Sequence, residues 1–489
     1  MTGEPSETPF DDAFHEECGV FGIFGHADAG ALTVLGLHAL QHRGQEAAGI
    51  VTYDAETAQF TAERHPGLVG DVFGKNSVNA QKLNGANAVG HVRYSTAGGS
   101  GARNAQPMFA DLASGGIALA HNGNLTNARV LRSDLVHEGA IFQSTSDTEV
   151  IIHLVARSIY NPVVDRLVDA LKQVEGAYSL VGLTSKKLIG VRDPWGVRPL
   201  VLGKLDDAYI LASETCALDI IGAEFIRDIE AGELVVITRD GIQSYRPFAP
   251  QKPRFCIFEY VYFARPDSTV QGQNVYDARK HIGVELAREA PAIADMVIPV
   301  PDSGVPAALG YAQASGIPFE LGIIRNHYVG RTFIEPSDRI RHLGVRLKHN
   351  ANRAKIKGKR VILVDDSIVR GTTSKKIVEM VREAGAAEVH FRIASPPTTH
   401  SCFYGVDTPN TDDLLAHRMD VEAMREYIKA DSLAFVSMDG LYRAVGEAKR
   451  AAGNPQFCDA CFSGDYPIDL TDISGGKKHG QLSLLAEVA

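Results

Sequence analysis

The chain has 489 residues, of which 45% are hydrophobic and 22% are charged, values typical of a folded protein with two or more domains. The net charge of −10 argues against a nucleic-acid-binding surface, and no apolar run approaches the roughly 20 residues that a membrane span needs. The acidic N-terminus has neither a basic nor an apolar signal region, so we expect a cytoplasmic protein that binds neither nucleic acid nor membranes.

The first half of the chain has the pattern of strands with a few helices. Residues 1–17 are polar and lack hydrophobic periodicity, which predicts a disordered or removable leader. Residues 18–245 alternate short apolar runs with Gly-rich turns, which predicts a layered α+β domain. The expected strands include Val20–Phe24, Ile117–Ala120, Tyr178–Leu183 and Leu200–Leu202, and the expected helices are Ala31–Gln41 and Asp147–Ser158.

Cys18 opens the first of these strands, directly after the acidic leader. If residues 1–17 are removed, Cys18 carries a free α-amino group with a pKa of roughly 8, which can act as a base toward its own thiol. The alternative is a buried structural cysteine, which is the commoner fate of a single cysteine.

Four further segments favour a catalytic role for Cys18. They match, in order and spacing, the motifs of the N-terminal-nucleophile glutamine amidotransferases, and the first domain therefore resembles that family. The segments are Gln41–Gln45, Gly90–Thr96, His121–Leu125 and Ser146–Thr148. Each segment alone is compatible with a loop, and His121–Asn124 is also a good sequence for a hairpin turn.

The resemblance implies a role for each matching residue. Arg93 would pair with the α-carboxylate of glutamine, and Asp147 would bind the α-ammonium group. The side chain of Asn122 and the N–H of Gly123 would form an oxyanion hole for the tetrahedral intermediate. The other expected glutamine-site residues are Arg43 and Thr96.

The second half of the chain changes to alternating strands and helices, which is typical of a parallel sheet. The expected strands are Met296–Val300, Val361–Val364 and Val389–Ile393, and the expected helices are Val305–Ser315 and Thr373–Ala384. We predict an α/β domain over residues 246–470, with a connector at 246–275, and a loose tail at 471–489.

The strand Val361–Val364 is followed by two acidic residues and a short loop, after which the next helix begins. Ligands bind at the carboxyl ends of strands in such sheets, and a helix N-terminus favours an anion. Asp365 and Asp366 are suited to accept hydrogen bonds from ribose hydroxyls. The expected phosphate-binding residues are Arg370, Gly371, Thr372, Thr373 and Ser374. Taken separately, the acids and the hydroxyls are also compatible with plain helix capping.

This stretch resembles the phosphoribosyl pyrophosphate signature of the type I phosphoribosyltransferases. The resemblance implies that the acid pair contacts the ribose and that the following loop holds the 5′-phosphate. A second loop, Pro301–Gly304, would bind pyrophosphate through Asp302 and Ser303. Mg²⁺ commonly bridges few protein oxygens to substrate phosphates. Its expected protein partners are Ser303, Asp365 and Asp366.

A basic segment lies between these two loops. The segment Arg325–Lys348 is rich in arginine within an acidic protein, which favours a polyanionic ligand, although a solvated charged face has the same composition. We expect it to close over pyrophosphate as a mobile lid, with contacts from Arg331 and Lys348.

Four cysteines, Cys256, Cys402, Cys458 and Cys461, can hold either zinc or an iron–sulfur cluster, and their spacing does not separate the two. The segments around them resemble the cluster-bearing branch of the amidophosphoribosyltransferases, in which four cysteines at these places ligate one [4Fe-4S] cluster. The sixth cysteine, Cys216, lies in the first domain and is expected to be a plain buried or free thiol.

The whole resemblance covers about residues 16–470. It implies a layered αββα N-terminal-nucleophile glutaminase domain at 18–245, followed by a type I phosphoribosyltransferase domain with a parallel sheet. Ammonia from glutamine would displace pyrophosphate from phosphoribosyl pyrophosphate to give 5-phosphoribosylamine, the first committed step of purine synthesis. The resemblance also implies a homotetramer or dimer that is inhibited by purine nucleotides.

Two features depart from the family pattern, namely a leader that is longer than usual and His327, where arginine is commoner. Two alternative functions stay open. Another amidotransferase with the same first domain would lack the acid pair Asp365–Asp366, and a non-catalytic purine sensor would not need Cys18.

Overall fold

The computed structural model describes residues 18–75, 77–94, 102–326 and 349–474 of the chain. The predicted leader at 1–17 lies outside the described residues, as do Thr96, most of the predicted lid (327–348) and residues 475–489 of the predicted tail. Among the helices that are described, none is both long and apolar enough to cross a lipid bilayer.

Two antiparallel sheets pack face to face in the first part of the chain. Their strands are β1 (Gly19–Phe24), β2 (Ala47–Asp54), β3 (Gln59–Pro66), β4 (Asn87–Arg93), β5 (Met108–Leu112), β6 (Gly115–Leu125), β7 (Gly176–Thr184), β8 (Leu188–Arg192), β9 (Val201–Leu205), β10 (Ala208–Ala212), β11 (Glu224–Asp228), β12 (Leu234–Thr238) and β13 (Gly241–Tyr245). One sheet has the order β11-β9-β10-β1-β4-β2-β3 and the other β13-β12-β8-β7-β6-β5. Buried apolar side chains from both, such as Val20 and Val181, fill the space between them.

Helices cover the outer faces of both sheets. They are α1 (Ala29–Ala39), α2 (Val69–Phe73), α3 (Val78–Gln81), α4 (Ala128–His137), α5 (Thr148–Arg157), α6 (Val163–Leu171) and α7 (Cys216–Asp219), with 3₁₀ turns at Gln41–Arg43 and Ala102–Asn104. Leu37 of α1 packs on the first sheet, and Ile151 of α5 packs on the second. The predicted αββα layering is therefore confirmed, because each sheet buries one face against the other sheet and one face against helices.

A four-stranded parallel sheet with the order β17-β20-β21-β22 forms the centre of the second part. The strands of this part are β14 (Phe255–Cys256), β15 (Thr269–Val270), β16 (Gln273–Asn274), β17 (Met296–Pro299), β18 (Ile323–Arg325), β19 (His349–Ala351), β20 (Arg360–Asp365), β21 (Glu388–Ile393), β22 (Ser432–Phe435) and β23 (Phe457–Cys458). The predicted parallel sheet is confirmed. The edge strand β22 is an addition, since its four residues carry no clear strand signal.

Helices lie on both faces of this sheet. They are α8 (Val275–Glu289), α9 (Val305–Ser315), α10 (Arg353–Ile356), α11 (Thr372–Glu383), α12 (Leu415–Arg418), α13 (Val421–Ile428), α14 (Met438–Ala444), α15 (Ala460–Ser463) and α16 (Thr471–Ser474), with a 3₁₀ turn at Thr411–Asp413. Ile377 and Val381 of α11 are buried against one face, and Ala308 of α9 is buried against the other. The predicted helix Thr373–Ala384 is thus confirmed, within one residue at each end.

The segment that follows the second domain contacts the first domain. The carboxylate of Asp472 in α16 accepts hydrogen bonds from the backbone N–H groups of Arg129 and Val130, at 2.9 and 3.1 Å, in the first turn of α4. The prediction of a loose tail over 471–489 is therefore wrong for residues 471–474, because this short helix caps another helix. The connector is also ordered, with a π-helical turn at Glu259–Phe263 whose side chains join the core.

Candidate active sites

Cys18 lies at the start of β1, in the middle of the first sheet, and its thiol is 6% exposed. The Sγ atom is 3.5 Å from the carbonyl oxygen of Tyr94. Burial raises the pKa of the Cys18 thiol to about 11, partly offset by the Tyr94 carbonyl and the Arg93 guanidinium and increased by the carboxylates of Asp147 and Glu46. The thiol is therefore protonated at neutral pH, while four groups that act on it electrostatically surround it.

Arg93 ends β4, which pairs with β1 so that Val92 lies opposite Gly19. This register places the guanidinium beside the thiol of Cys18. The Arg93 side chain is almost completely buried, with Nη1 3.7 Å from the carboxylate of Glu46. A buried guanidinium next to the candidate nucleophile is suited to bind a substrate carboxylate through paired hydrogen bonds.

Asp147 lies at the N-terminus of α5 and supplies the opposite charge. Its carboxylate accepts a hydrogen bond from the backbone N–H of Leu125 at 3.0 Å and lies 3.6 Å from the Nδ1 atom of His121. Burial acts to raise the pKa of Asp147, but His121 and the hydrogen bonds hold it below its ordinary value. The site therefore holds one fixed cation and one fixed anion, which matches the two charged groups of an α-amino acid.

The segment His121–Asn124 continues β6 instead of forming a hairpin turn. His121 pairs with Leu180 and Asn124 with Ala177, so the hairpin alternative is wrong. The side chain of Asn122 is fully buried, and neither Oδ1 nor Nδ2 has a hydrogen-bond partner among the described residues. A buried polar group without a partner costs about 1–3 kcal/mol, so its presence indicates a ligand-binding role.

Gly123 has a backbone conformation that only glycine adopts easily, with φ at 141°. A Cβ atom at this position would lie 2.0 Å from the carbonyl oxygen of Ala177. Both the conformation and the close approach of β7 therefore require glycine next to Asn122. The pair Asn122–Gly123 presents a free side-chain amide beside a backbone N–H, as an oxyanion hole requires.

Arg43 takes part in buried ion pairs that the sequence does not predict. Its side chain is 1% exposed, Nη2 donates to the carboxylate of Glu259 at 2.5 Å, and Nε donates to Glu214. Glu259 belongs to the second part of the chain, so the guanidinium faces the boundary between the two domains. These contacts give Arg43 a structural role at the domain boundary, and its part in the glutamine site stays a prediction.

The loops that follow β17 and β20 lie side by side. The backbone N–H of Val300 donates to the carbonyl of Val364 at 2.8 Å, and a Cβ atom on Gly304 would lie 2.3 Å from the same oxygen. The parallel register of these two strands therefore brings the two predicted substrate loops to one edge of the sheet.

Asp365 and Asp366 are both buried at the end of β20, and the backbone N–H of Asp366 donates to Oδ1 of Asp365 at 3.0 Å. Burial and the neighbouring Asp366 carboxylate raise the pKa of Asp365 well above its ordinary value. Two adjacent buried carboxylates disfavour each other's charge, and hydroxyl donors or a cation would relieve this repulsion.

The helix α11 begins directly after this acid pair. Its N-cap residue, Gly371, has φ at 80°, and a Cβ atom there would lie 2.5 Å from Leu415. Thr372, Thr373 and Ser374 form the first turn, where backbone N–H groups have no partner within the helix. Arg370 is exposed just before the helix. This N-terminus of a twelve-residue helix can therefore receive a phosphate.

The predicted pyrophosphate loop is only partly as expected. Ser303 is half-buried, whereas Asp302 is exposed and forms an ion pair with Arg325. A carboxylate repels pyrophosphate, so the side chain of Asp302 is poorly suited to bind it, and its backbone is the better candidate. Arg331, Lys348 and Thr96 lie outside the described residues.

One small cavity is lined by all four of these cysteines, Cys256, Cys402, Cys458 and Cys461. Two of them are brought together by β14 and β23, which pair in parallel with Cys256 opposite Cys458. In the part of the chain that the structure describes, no three His, Cys, Asp or Glu side chains are placed to bind one metal ion together. Cys216 is buried elsewhere, with Sγ 3.8 Å from Glu214, so the prediction of a plain buried thiol is confirmed.

Three features of these sites were not predicted. Glu46 lies beside Arg93, and Arg198 lines the cysteine cavity as a cation among thiols. The loop around Phe403 contacts the strand that carries Asn122. Glu46 directly follows the motif Gln41–Gln45, which is a usable signal, but the other two contacts join residues far apart in the chain and have no local signal.

Two family models match the chain. The model described as "Glutamine amidotransferase domain" matches residues 91–219, and the model described as "Phosphoribosyl transferase domain" matches residues 267–394. Both matched regions contain residues of the two sites described above.

Curated relatives match almost the entire chain. The amidophosphoribosyltransferase of Rhizobium etli is 61% identical over 489 residues, which cover 99% of this chain and 98% of the relative. The amidophosphoribosyltransferase of Bacillus subtilis is 50% identical over 457 residues, which cover 93% of this chain and 95% of the relative.

A solved structure has the same fold throughout. It is described as glutamine phosphoribosylpyrophosphate (PRPP) amidotransferase from B. subtilis complexed with ADP and GMP, and it superposes with a TM-score of 0.87 at 49% identity. The alignment covers 93% of this chain and 98% of that chain.

Proposed function

The chain belongs to the amidophosphoribosyltransferase family, and from this membership we propose how its residues perform the reaction. The enzyme is a glutamine amidotransferase and a pentosyltransferase of purine biosynthesis. Glutamine, phosphoribosyl pyrophosphate and water give 5-phosphoribosylamine, glutamate and pyrophosphate. The observation that best supports the residue assignments is the fully buried side chain of Asn122, which has no described partner and lies next to Gly123.

Glutamine would bind through its two charged groups. The guanidinium of Arg93 would hold the α-carboxylate, and the carboxylate of Asp147 would hold the α-ammonium group. Both side chains are shielded from water, which strengthens each interaction relative to the same contact in solvent. The opposite charges, both acting on the thiol of Cys18, support this orientation of the substrate.

Cys18 would be the nucleophile. The α-amine of Cys18 takes the thiol proton, and Sγ attacks the side-chain amide carbon of glutamine. The Nδ2 group of Asn122 and the N–H of Gly123 would donate to the resulting oxyanion. The proton passes to the departing nitrogen, ammonia leaves, and water then hydrolyses the thioester to glutamate.

This mechanism needs the removal of residues 1–17. Within an intact chain the nitrogen of Cys18 is an amide and is not basic, and the buried thiol has a pKa of about 11. Release of the α-amine supplies a base with a pKa of roughly 8 within reach of the thiol. We therefore propose that the mature enzyme begins at Cys18.

Phosphoribosyl pyrophosphate would bind at the carboxyl edge of the parallel sheet. Asp365 and Asp366 would accept hydrogen bonds from the ribose hydroxyls, and the N-terminus of α11 at Gly371 would hold the 5′-phosphate. Ser303 and the backbone of its loop would contact pyrophosphate. Ammonia attacks C1 of the ribose and pyrophosphate leaves. The further phosphate contacts proposed are Arg370, Thr372, Thr373, Ser374, Arg331 and Lys348.

The acid pair also fits a magnesium ion. Mg²⁺ prefers oxygen ligands and commonly takes few from the protein, with waters and phosphates completing its shell. Asp365, Asp366 and Ser303 would hold it, and the raised pKa of Asp365 supports the need for a nearby positive charge. When bound, the ion would neutralise charge on the pyrophosphate leaving group.

The four cysteines fit an iron–sulfur cluster better than zinc. A zinc site needs four sulfur atoms about 2.3 Å from a single ion, whereas no three His, Cys, Asp or Glu side chains in the described part of the chain, these cysteines included, are placed to bind one metal ion together. We propose one [4Fe-4S] cluster bound by Cys256, Cys402, Cys458 and Cys461. The Arg198 guanidinium on the cavity wall would offset the negative charge of the thiolates.

The family membership and the cysteines also bear on the oligomeric state, the regulation and the cellular compartment of the enzyme. We propose a homotetramer or dimer that purine nucleotides inhibit, as suggested by the nucleotides in the Bacillus structure. None of the six cysteines forms a disulfide bond, which suits the reducing cytoplasm. The two alternative functions, another amidotransferase and a non-catalytic sensor, have no support in relatives that match nearly the full chain.

One comparison tests the residue assignments. Wild-type enzyme and Cys18→Ala are assayed for 5-phosphoribosylamine with either glutamine or ammonia as the nitrogen source. Cys18→Ala should lose the glutamine-dependent activity and keep the ammonia-dependent one, because the two sites are separate. Retention of glutamine-dependent activity would contradict the assignment of Cys18.

A further inference from the structure

The loop that carries Cys402 contacts the strand that carries the oxyanion hole. We call residues 401–405 the cysteine loop. The Nδ2 group of Asn124, two residues after Asn122, donates to the carbonyl oxygen of Phe403 in this loop at 2.9 Å. The bond joins residues 279 apart in the chain and connects the two catalytic domains.

The same loop also touches Gly123 through its backbone. Gly405 has φ at 110°, and a Cβ atom there would lie 2.9 Å from Cα and 3.0 Å from the carbonyl carbon of Gly123. Gly123 also lies close to β7, where its own Cβ would lie 2.0 Å from the carbonyl oxygen of Ala177. The Gly123 peptide is therefore held between β7 and the cysteine loop.

The cysteine loop is itself firmly attached to the second domain. The hydroxyl of Tyr404 donates to the carbonyl of Ile468 at 2.7 Å and accepts from the Ile468 N–H at 3.0 Å. The hydroxyl of Tyr466 donates to the carbonyl of Ser401 at 2.6 Å, and Tyr404 is fully buried. A loop with this many fixed contacts can act as a rigid support for its neighbour.

We propose that Gly405 and the carbonyl of Phe403 are positioning residues of the glutaminase reaction. They hold the Gly123 peptide so that its N–H points toward the oxyanion, and this role rests on the proposed function of Asn122 and Gly123. One donor of an oxyanion hole is worth about 100- to 1000-fold in rate, and a displacement of about 1 Å can remove much of that.

The role predicts a specific kinetic pattern for Gly405→Ala. The new methyl group would push against Gly123, so kcat for glutamine hydrolysis should fall about 10- to 100-fold. The KM for glutamine should stay within about twofold, because ground-state binding is carried by Arg93 in β4 and Asp147 at the start of α5, and neither belongs to the cysteine loop. Ammonia-dependent synthesis should be unchanged.

Gly464→Ala is a matched control. Gly464 also has a positive φ, 74°, and follows Cys461, so its substitution strains the cysteine region in a comparable way. A Cβ atom there would meet His400, however, and not Gly123. The control should keep the wild-type kcat for glutamine hydrolysis, so a loss confined to Gly405→Ala reports the contact with Gly123.

Asn124→Ala provides a second variant in case Gly405→Ala fails to fold. It removes the hydrogen bond to Phe403 at 2.9 Å together with a longer one to the carbonyl of Leu125 at 3.4 Å. We expect kcat to fall about 3- to 10-fold at constant KM, in line with the roughly 1 kcal/mol of one good hydrogen bond. Alkylation of Cys18 by iodoacetamide needs no oxyanion hole, so its rate should match the wild type in every variant.

The outcomes distinguish a failure of the positioning role from a failure of the proposed glutaminase site. An unchanged kcat in both Gly405→Ala and Asn124→Ala, or an equal fall in ammonia-dependent synthesis, would overturn the positioning role. If Cys18→Ala, measured in parallel, retained glutamine hydrolysis, the nucleophile assignment would be wrong and the positioning role would be lost with it.

Discussion

The guanidinium of Arg43 in the glutaminase domain donates to the carboxylate of Glu259 in the transferase domain at 2.5 Å, and both side chains are closed to solvent. The other oxygen of Glu259 lies 3.4 Å from Arg198, and Glu214 forms a second ion pair with Arg43. Two buried cations thus share two buried carboxylates at the boundary between the domains.

Glu259→Gln should strongly destabilise this boundary. The change keeps the shape of the side chain but leaves the arginines with too little negative charge, and loss of one partner of a buried pair typically costs about 3–5 kcal/mol. The denaturation midpoint is the measurement. The matched control, Glu230→Gln, breaks the exposed pair with Arg246 and should cost no more than about 1 kcal/mol. Equal midpoints for the two variants would contradict the prediction.

Asn122→Ala should lower kcat for glutamine hydrolysis by about 100- to 1000-fold, because a donor to the oxyanion is removed. The KM for glutamine should change little, since the side chain contributes mainly in the transition state. Steady-state kinetics with glutamine measure both constants. A large rise in KM at constant kcat would instead place Asn122 in substrate binding.

Asp365→Asn should stabilise the free enzyme while it impairs transfer. The pKa of Asp365 is raised by burial, so the folded state binds its proton more tightly than the unfolded state and loses stability as pH rises above about 4. At neutral pH the variant should be more stable by roughly 1 kcal/mol, and this advantage should vanish near pH 4. Transfer should fall about 10- to 100-fold through lost hydrogen bonds to the ribose.

Asp295→Asn serves as a control of opposite sign for this pH dependence. Asp295 precedes β17 and pairs with Arg360, and hydrogen bonds from that arginine hold the pKa of the carboxyl below its ordinary value. The ionised Asp295 carboxylate therefore stabilises the folded state above about pH 4, and this stabilisation is lost as pH falls. At neutral pH, Asp295→Asn should be slightly less stable than the wild type. Melting curves from pH 4 to pH 8 on both variants test whether Asp365→Asn is more stable, and Asp295→Asn less stable, than the wild type at neutral pH.

Cys402→Ser should lose iron and sulfide when the protein is purified without oxygen, because one of the four thiols on the cavity is removed. Cys216→Ser should retain both, since Cys216 lies away from the cavity. Elemental analysis and the absorption spectrum are the measurements. Zinc without iron in the wild-type protein would contradict the cluster proposal.

The mass of the purified enzyme should show loss of residues 1–17. Cys18 needs a free α-amine to serve as its own base, and the buried thiol has no comparable activation within an intact chain. Intact-mass spectrometry together with the glutaminase rate tests this. A fully active enzyme that still carries Met1 would rule the mechanism out.

Motif residues could be predicted from the sequence, whereas the contacts between distant segments could not. The segment around Gly123 combines a recognisable motif with a backbone that accepts only glycine, so local sequence carries most of the information. Arg43 also lies in a matching motif, but its role depends on Glu214 and Glu259, which are 171 and 216 residues away. The motif therefore predicts the place of Arg43 in the first domain, whereas no local pattern predicts its ion pairs.

The cysteines show the same division. Their number and spacing allowed zinc or a cluster. The choice rests on the resemblance to the cluster-bearing branch and on the placement of the thiols, since no three metal-binding side chains among the described residues surround one ion. Gly405 carries no local signal, because its requirement for glycine arises from Gly123 in the other domain. The strand β22 was missed for a simpler reason, since Ser432–Phe435 lacks the continuous run of branched apolar residues that marks Val361–Val364.

The capping of α4 by Asp472 also affects how the chain assembles on the ribosome. The glutaminase strands end at Tyr245, but the helix that completes this domain's surface is made more than two hundred residues later. At 5–20 residues per second, the wait is about 10–50 seconds. During that interval the nascent first domain presents uncapped N–H groups at Arg129 and Val130, so its final stability is reached only after the transferase domain has been translated.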